Sequence, residues 1–93
     1  MVVGVLALRL VFRESRSLKD KRRFLHSLKD RIRNDFNVSV SETGEQNHLQ
    51  LAVLACAMVG TDRAYVEGAL AEIRKFVRGF PHAEIAGASE DYF

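Results

Sequence analysis

The sequence predicts an α+β fold, a four-stranded antiparallel sheet with two helices on one face. Three observations point there. Two long runs, 2–12 and 48–59, are apolar, and the first lacks helix punctuation. Two other segments repeat apolar residues at helical spacing, and the segments alternate in the order β-α-β-β-α-β. With 93 residues, 47% of them hydrophobic, and one proline, the chain reads as one globular domain over 1–93.

Residues 2–12 are rich in Val and Leu and read as the first strand. Arg13 to Arg16 form a short polar connection, and Ser17, with Asp20 three positions on, reads as an N-cap with its capping-box partner. Leu18, Leu25, Leu28, Ile32 and Phe36 then share one stripe, which predicts a helix over 17–36, with Asn37 closing it in a left-handed conformation. In NVSVSE, Val38 and Val40 alternate with Ser39 and Ser41, the period of a half-exposed strand. Gly44, in the polar stretch 43–47, marks a hairpin turn. The alanines of the run from His48 to Val59 favour helix by propensity, but its length and position favour strand. After Gly60, Thr61 or Asp62 caps a helix over 61–78 with the stripe Val66, Leu70, Ile73 and Val77, and Gly79 and Pro81 stop it. A weaker strand at 83–88 precedes an acidic-aromatic tail, Glu90 to Phe93. This order is that of the ferredoxin-like βαββαβ plait.

In such a plait the first and third strands are central. Along the first, Val2, Leu6, Leu8, Leu10 and Phe12 are the bulkier set and are assigned to the helix side, leaving Val3, Val5, Ala7, Arg9 and Val11 outside. Along the third, Leu49, Leu51 and Val53 are assigned inward and Ala52, Leu54, Cys56 and Met58 outward. The outer face is then apolar on both strands, which predicts a homo-oligomer burying Val3, Val5, Leu54 and Met58.

Net charge is only +2 but unevenly spread. Residues 1–36 hold ten Lys/Arg against four Asp/Glu, and residues 37–93 hold four against eight. On the first helix Lys19, Arg22, His26, Lys29 and Arg33 follow one another at intervals of three or four, a single file beside the apolar stripe, with Arg23 next to it. Like charges at i and i+4, such as Lys19 with Arg23 and Lys29 with Arg33, oppose the helix by a few tenths of a kcal/mol each. An anionic partner compensates for that, since a row of cations neutralises phosphates and releases their counterions. Arg16, Lys19, Lys21, Arg22, Arg23, His26, Lys29 and Arg33 are the candidate nucleic-acid-binding residues. Lys21 falls near the apolar stripe, where a structural residue is expected, although a snorkelling side chain fits there too. The central strands offer no exposed aromatic for base stacking, so the expected contact is to phosphate and shape.

The segment SLKDKRRFLHSLKDRIRNDFNVSVSE, with the apolar third strand and FPHAEI beyond it, resembles the YlxP-like family of bacterial domains of unknown function. The resemblance implies a ferredoxin-like fold and a gene often placed beside translation and ribosome-assembly genes. It implies no established activity or ligand. Ser17, Lys19, Lys21 and Arg22 match its motif, whereas GEQNHLQ departs from the tryptophan and Asp/Gln-rich stretch that family members often carry there.

No catalytic signature, cofactor motif or metal-ligand spacing is legible. His26, His48 and His82 lie in different elements, and Cys56 is a lone cysteine in an apolar strand. Acylphosphatases share this fold and use an arginine in the loop after the first strand with an asparagine on the third, roles to which Arg13 and Asn47 come nearest here, but FRESRS lacks the glycine-rich anion loop that chemistry needs. The single thiol, and an N-terminus without a secretory signal or spanning segment, predict a cytoplasmic protein that does not enter a membrane. The function expected is therefore non-enzymatic and cofactor-free, an RNA- or ribosomal-subunit-associated protein. The alternative is an oligomeric ACT-like module for a small ligand or protein.

Overall fold

The computed structural model describes residues 1–93. Its elements are β1 (Val2–Val11), α1 (Leu18–Asp35), β2 (Ser39–Gly44), β3 (Leu51–Gly60), α2 (Arg63–Arg78) and β4 (Glu84–Tyr92). The strands form one antiparallel sheet in the order β2-β3-β1-β4, the ferredoxin-like arrangement. No helix is long and apolar enough to cross a membrane.

Side-chain oxygens start both helices. Ser17 Oγ accepts the Asp20 N–H at 3.1 Å and Asp62 Oδ2 accepts that of Tyr65 at 3.1 Å, each satisfying a donor that the first turn leaves free. Asp20 also reaches back to the Arg16 N–H at 3.0 Å. The α1 stripe of Leu25, Leu28 and Ile32 and the α2 stripe of Val66, Leu70, Ile73 and Val77 are buried against Leu6, Leu8, Leu10 and Phe12 of β1 and its continuation. The end of α1 departs from expectation. Phe36 caps it in an extended conformation, its ring 6.1 Å from that of Phe76, and Asn37 does not adopt a left-handed one. The positive φ of 59° belongs instead to Glu45, in the β2–β3 connection.

The inward and outward sets of β3 are reversed relative to the expectation. Residues directly opposite each other on antiparallel strands share a face, and Leu6 pairs with Cys56, Leu8 with Leu54 and Leu10 with Ala52. Leu54 (0% exposed) and Met58 (8%) are therefore core residues beneath the helices and cannot form an interface on the open side. Leu51, Val53, Ala55, Ala57 and Val59 take the open face, beside Val3, Val5, Ala7, Arg9 and Val11. Both sets are apolar, so hydrophobicity alone does not choose between them.

β4 extends beyond its expected end. Glu90, Asp91 and Tyr92 continue its pairing with β1, and Val3 and Phe93 exchange backbone hydrogen bonds of 3.0 and 2.8 Å. Close packing at this end of β1 depends on Gly4. A Cβ there would lie 2.6 Å from Val66 Cγ1 and 3.0 Å from both Leu70 Cδ1 and Tyr92 Cε1. Gly4→Ala is expected to destabilise the protein by about 1–3 kcal/mol, lowering the urea midpoint. Gly68→Ala, on the open surface of α2, is expected to gain up to about 1 kcal/mol through helix propensity.

Candidate nucleic-acid interface

The core-facing stripe of α1 contains a cation. Lys21, between Leu18 and Leu25 on that stripe, is 1% exposed. Its ammonium donates to the carbonyls of Glu45 (2.8 Å), Gln46 (3.3 Å) and Leu51 (3.0 Å), which takes up all three of its N–H donors. Glu42 Oε2 lies 3.2 Å away and accepts no aligned hydrogen bond, so the carboxylate supplies countercharge. Lys21 therefore clamps the β2–β3 connection and is removed from the nucleic-acid-binding set. Alternation along β2 puts Glu42 on the same face as Val40, a signal that a buried acid faces this buried base.

The same connection is stitched to the β1–α1 loop. Ser15 Oγ donates to Leu49 O at 2.6 Å, Phe12 N–H to Gln50 O at 2.7 Å, and Gln50 Nε2 to the carbonyls of Arg13 and Ser15, both at 3.2 Å. His48 Nδ1 accepts the N–H groups of Gln50 and Leu51. Residues 45–50 are thus a loop built on specific bonds, and β3 begins at Leu51 rather than His48.

Outside this clamp, the file of cations borders a concavity of about 540 Å³ lined by Lys19, Arg22, Arg23, Leu25, His26, Lys29 and Glu42. Lys19, Arg22 and Lys29 have no carboxylate within 4.0 Å, whereas Arg23 lies 3.6 Å from Asp20 and His26 lies 3.2 Å from Asp30. The Arg23 guanidinium also sits 5.1 Å from the centre of the Phe24 ring. Arg33 is drawn off the file, donating to Val40 O at 3.0 Å. Arg16 stands in a neighbouring polar hollow with Ser15, Asn47, His48 and Gln50.

A family model described as "Protein of unknown function (DUF503)" matches residues 3–89, from the first strand into the last. The chain belongs to that family. It is 30% identical over 92 residues to "Uncharacterized protein YlxP" of Bacillus subtilis (strain 168), covering 99% of this chain and 100% of that one. Among solved structures, the "De novo designed protein Foldit4" is similar with a TM-score of 0.56 and 16% identity, over 100% of this chain and 97% of the other. That likeness shows the fold alone.

The remaining reactive side chains of this DUF503 chain are engaged elsewhere. Cys56 is 0% exposed in the core, and burial pushes its thiol up from 9.0 to about 11. Arg13 Nε donates to Glu84 at 2.6 Å, and the His82 ring stacks on Phe24 at 4.6 Å.

Two outcomes are expected. Lys21→Met strands the Glu42 carboxylate and three carbonyls, costing about 3–5 kcal/mol in urea unfolding and exposing residues 45–50 to Glu-specific proteolysis. Cys56 is expected to resist an aromatic disulfide reagent at pH 8 until the chain unfolds. Its raised thiol also makes stability fall at alkaline pH. Its stabilising contribution is complete below pH 9.0, where neither state ionises, and is lost as pH climbs towards about 11.

Proposed function

We propose that this protein is a non-catalytic, cytoplasmic RNA-binding protein that docks on RNA, including the RNA of a ribosomal subunit, through the outer face of α1. The observation that carries the reading is the file Lys19, Arg22 and Lys29, three cations without carboxylate partners bordering one concavity. At 1.5 Å rise per residue they span about 15 Å, a length over which they meet successive phosphates of a strand. Arg22 and Arg23 supply planar forks suited to phosphate oxygens. The one carboxylate in the concavity, Glu42, already has Lys21 as its countercharge, which limits its repulsion of an incoming anion.

The mode of recognition is set by where the aromatics lie. Phe12, Phe24, Phe36, Phe76 and Phe80 all belong to the core or pack against it. On the open face the central strands present Val, Ala, Leu51 and Arg9, and the exposed aromatics Tyr65 and Phe93 lie off those strands, so no platform for stacked bases exists on them. Contact is then to the phosphate backbone, with affinity dominated by counterion release. The resemblance to a family whose genes often neighbour translation genes agrees with an RNA partner.

The triple variant Lys19→Glu, Arg22→Glu, Lys29→Glu tests this. Purified protein is expected to retain RNA at low salt, with log K falling against log salt at a slope of about −3 to −5 if about five phosphates are engaged. The variant is expected to lose that binding with its thermal midpoint nearly unchanged. Equal RNA binding by the variant, or no RNA binding by the native chain, overturns the proposal.

A further inference from the structure

We infer that the open face of the sheet is covered by a second copy of this chain, packed face to face about a two-fold axis that crosses the strands at the Ala7–Ala55 pair. This rests on the face opposite α1 and is independent of the RNA-binding reading.

Pairing across the sheet maps the face row by row. Val59 and Val3 form the row at one end. Ala57, Val5 and Asp91 come next, then Ala55, Ala7 and Ser89, then Val53, Arg9 and Gly87, and finally Leu51, Val11 and Glu84. The middle row is all small side chains, which lets two backbones approach closely. The row on either side of it holds one valine, Val5 in one and Val53 in the other.

Glu84, at one end of this face, is already paired with Arg13 of its own chain; the two remaining charges are placed symmetrically about the middle row. Asp91, on β4, lies one row from the middle in one direction. Arg9, on β1, lies one row from it in the other, and its stem leans over β4, with Cδ 3.6 Å from where a Gly87 Cβ would be. The absence of a side chain at Gly87 thus carries the guanidinium into the β4 column. A two-fold axis through the middle row, running across the strands, exchanges the two rows and keeps the columns. It sets Arg9 over Asp91 of the partner subunit, and the reciprocal pair forms by symmetry. Both groups are exposed, and neither has an ion-pair partner within its own chain.

The patch is large enough. From Val3 to Val11 it runs about 27 Å, and four strands make it about 19 Å wide, so a pair buries at least about 1,000 Å². Val59, 65% exposed, and Phe93, 77% exposed, extend its apolar surface at one end.

Sedimentation equilibrium of the full chain tests the arrangement. The native protein is expected to be dimeric at micromolar concentration. Arg9→Asp and Asp91→Arg, both at exposed positions, are each expected to weaken the dimer at least tenfold with the thermal midpoint retained, and the double exchange R9D/D91R to restore it. As a second measurement, Ser89→Cys places a sole accessible thiol on the middle row, since Cys56 is buried, and a short bismaleimide is expected to link two copies through it. A native chain that stays monomeric at high micromolar concentration overturns the inference. So do single variants that dimerise like the native chain, as pairing through the β2 edge requires, and so does a double exchange that fails to rescue. RNA retention by the native chain is read separately and distinguishes failure here from failure of the α1 interface.

Discussion

Taking an ammonium group out of water costs several kcal/mol unless its hydrogen bonds and its charge are both answered inside the protein, and at Lys21 both are. The group that answers them is a loop with no apolar core of its own. Because Lys21 stands on the buried stripe of α1, the helix cannot dock in its register without bringing the ammonium to the carbonyls of Glu45, Gln46 and Leu51. That contact holds Glu45 in its left-handed conformation, sets the start of β3, and fixes which face of α1 is left for solvent. The outward file of cations is in this sense a consequence of the inward one. A helix rotated by one position would bury Arg22 and present Lys21.

Much of this was legible from the residues, and the exceptions share a cause. Caps, stripes and the order of elements rest on local chemistry, such as the hydroxyl of Ser17 or the spacing of Val66, Leu70, Ile73 and Val77, and they read directly. Which way β3 faces is a non-local fact. Leu51, Val53 and Val59 look as core-like as Leu54 and Met58, and only the pairing of Leu8 with Leu54 decides. The length of β4 was hidden for a related reason. It is an edge strand, and Glu90 and Asp91 are the charged residues with which edges avoid pairing with other chains. Of the candidate site, the file was legible and the Lys21 clamp only half so. Its position on the stripe marked it as unusual, but its partners come from a loop without periodic signal.

The two broad surfaces have different physical characters. The helix side carries uncompensated positive charge, whose influence reaches about a Debye length and weakens with salt. The sheet side is largely apolar, with Arg9 and Asp91 as its only charges unpaired within the chain, and acts only on contact. A single chain so divided can join two kinds of association that do not compete for area. With the sheet faces together, the two α1 helices lie on opposite outer surfaces.

The strand order also has a consequence for how the chain is made. β1 is the earliest of the strands to be synthesised, yet its neighbours are the third and the last, with Val2 opposite Gly60 and Gly4 opposite Tyr92. On a translating ribosome VVGVLALRLVF therefore waits, extended and adhesive, until most of the domain has emerged, the situation in which nascent chains associate wrongly. Directly behind it come Arg13, Arg16, Lys19, Lys21, Arg22 and Arg23, a stretch dense in positive charge that keeps such a segment dispersed. The charge of this stretch thus opposes self-association of the strand before it while that strand still has nothing to pair with.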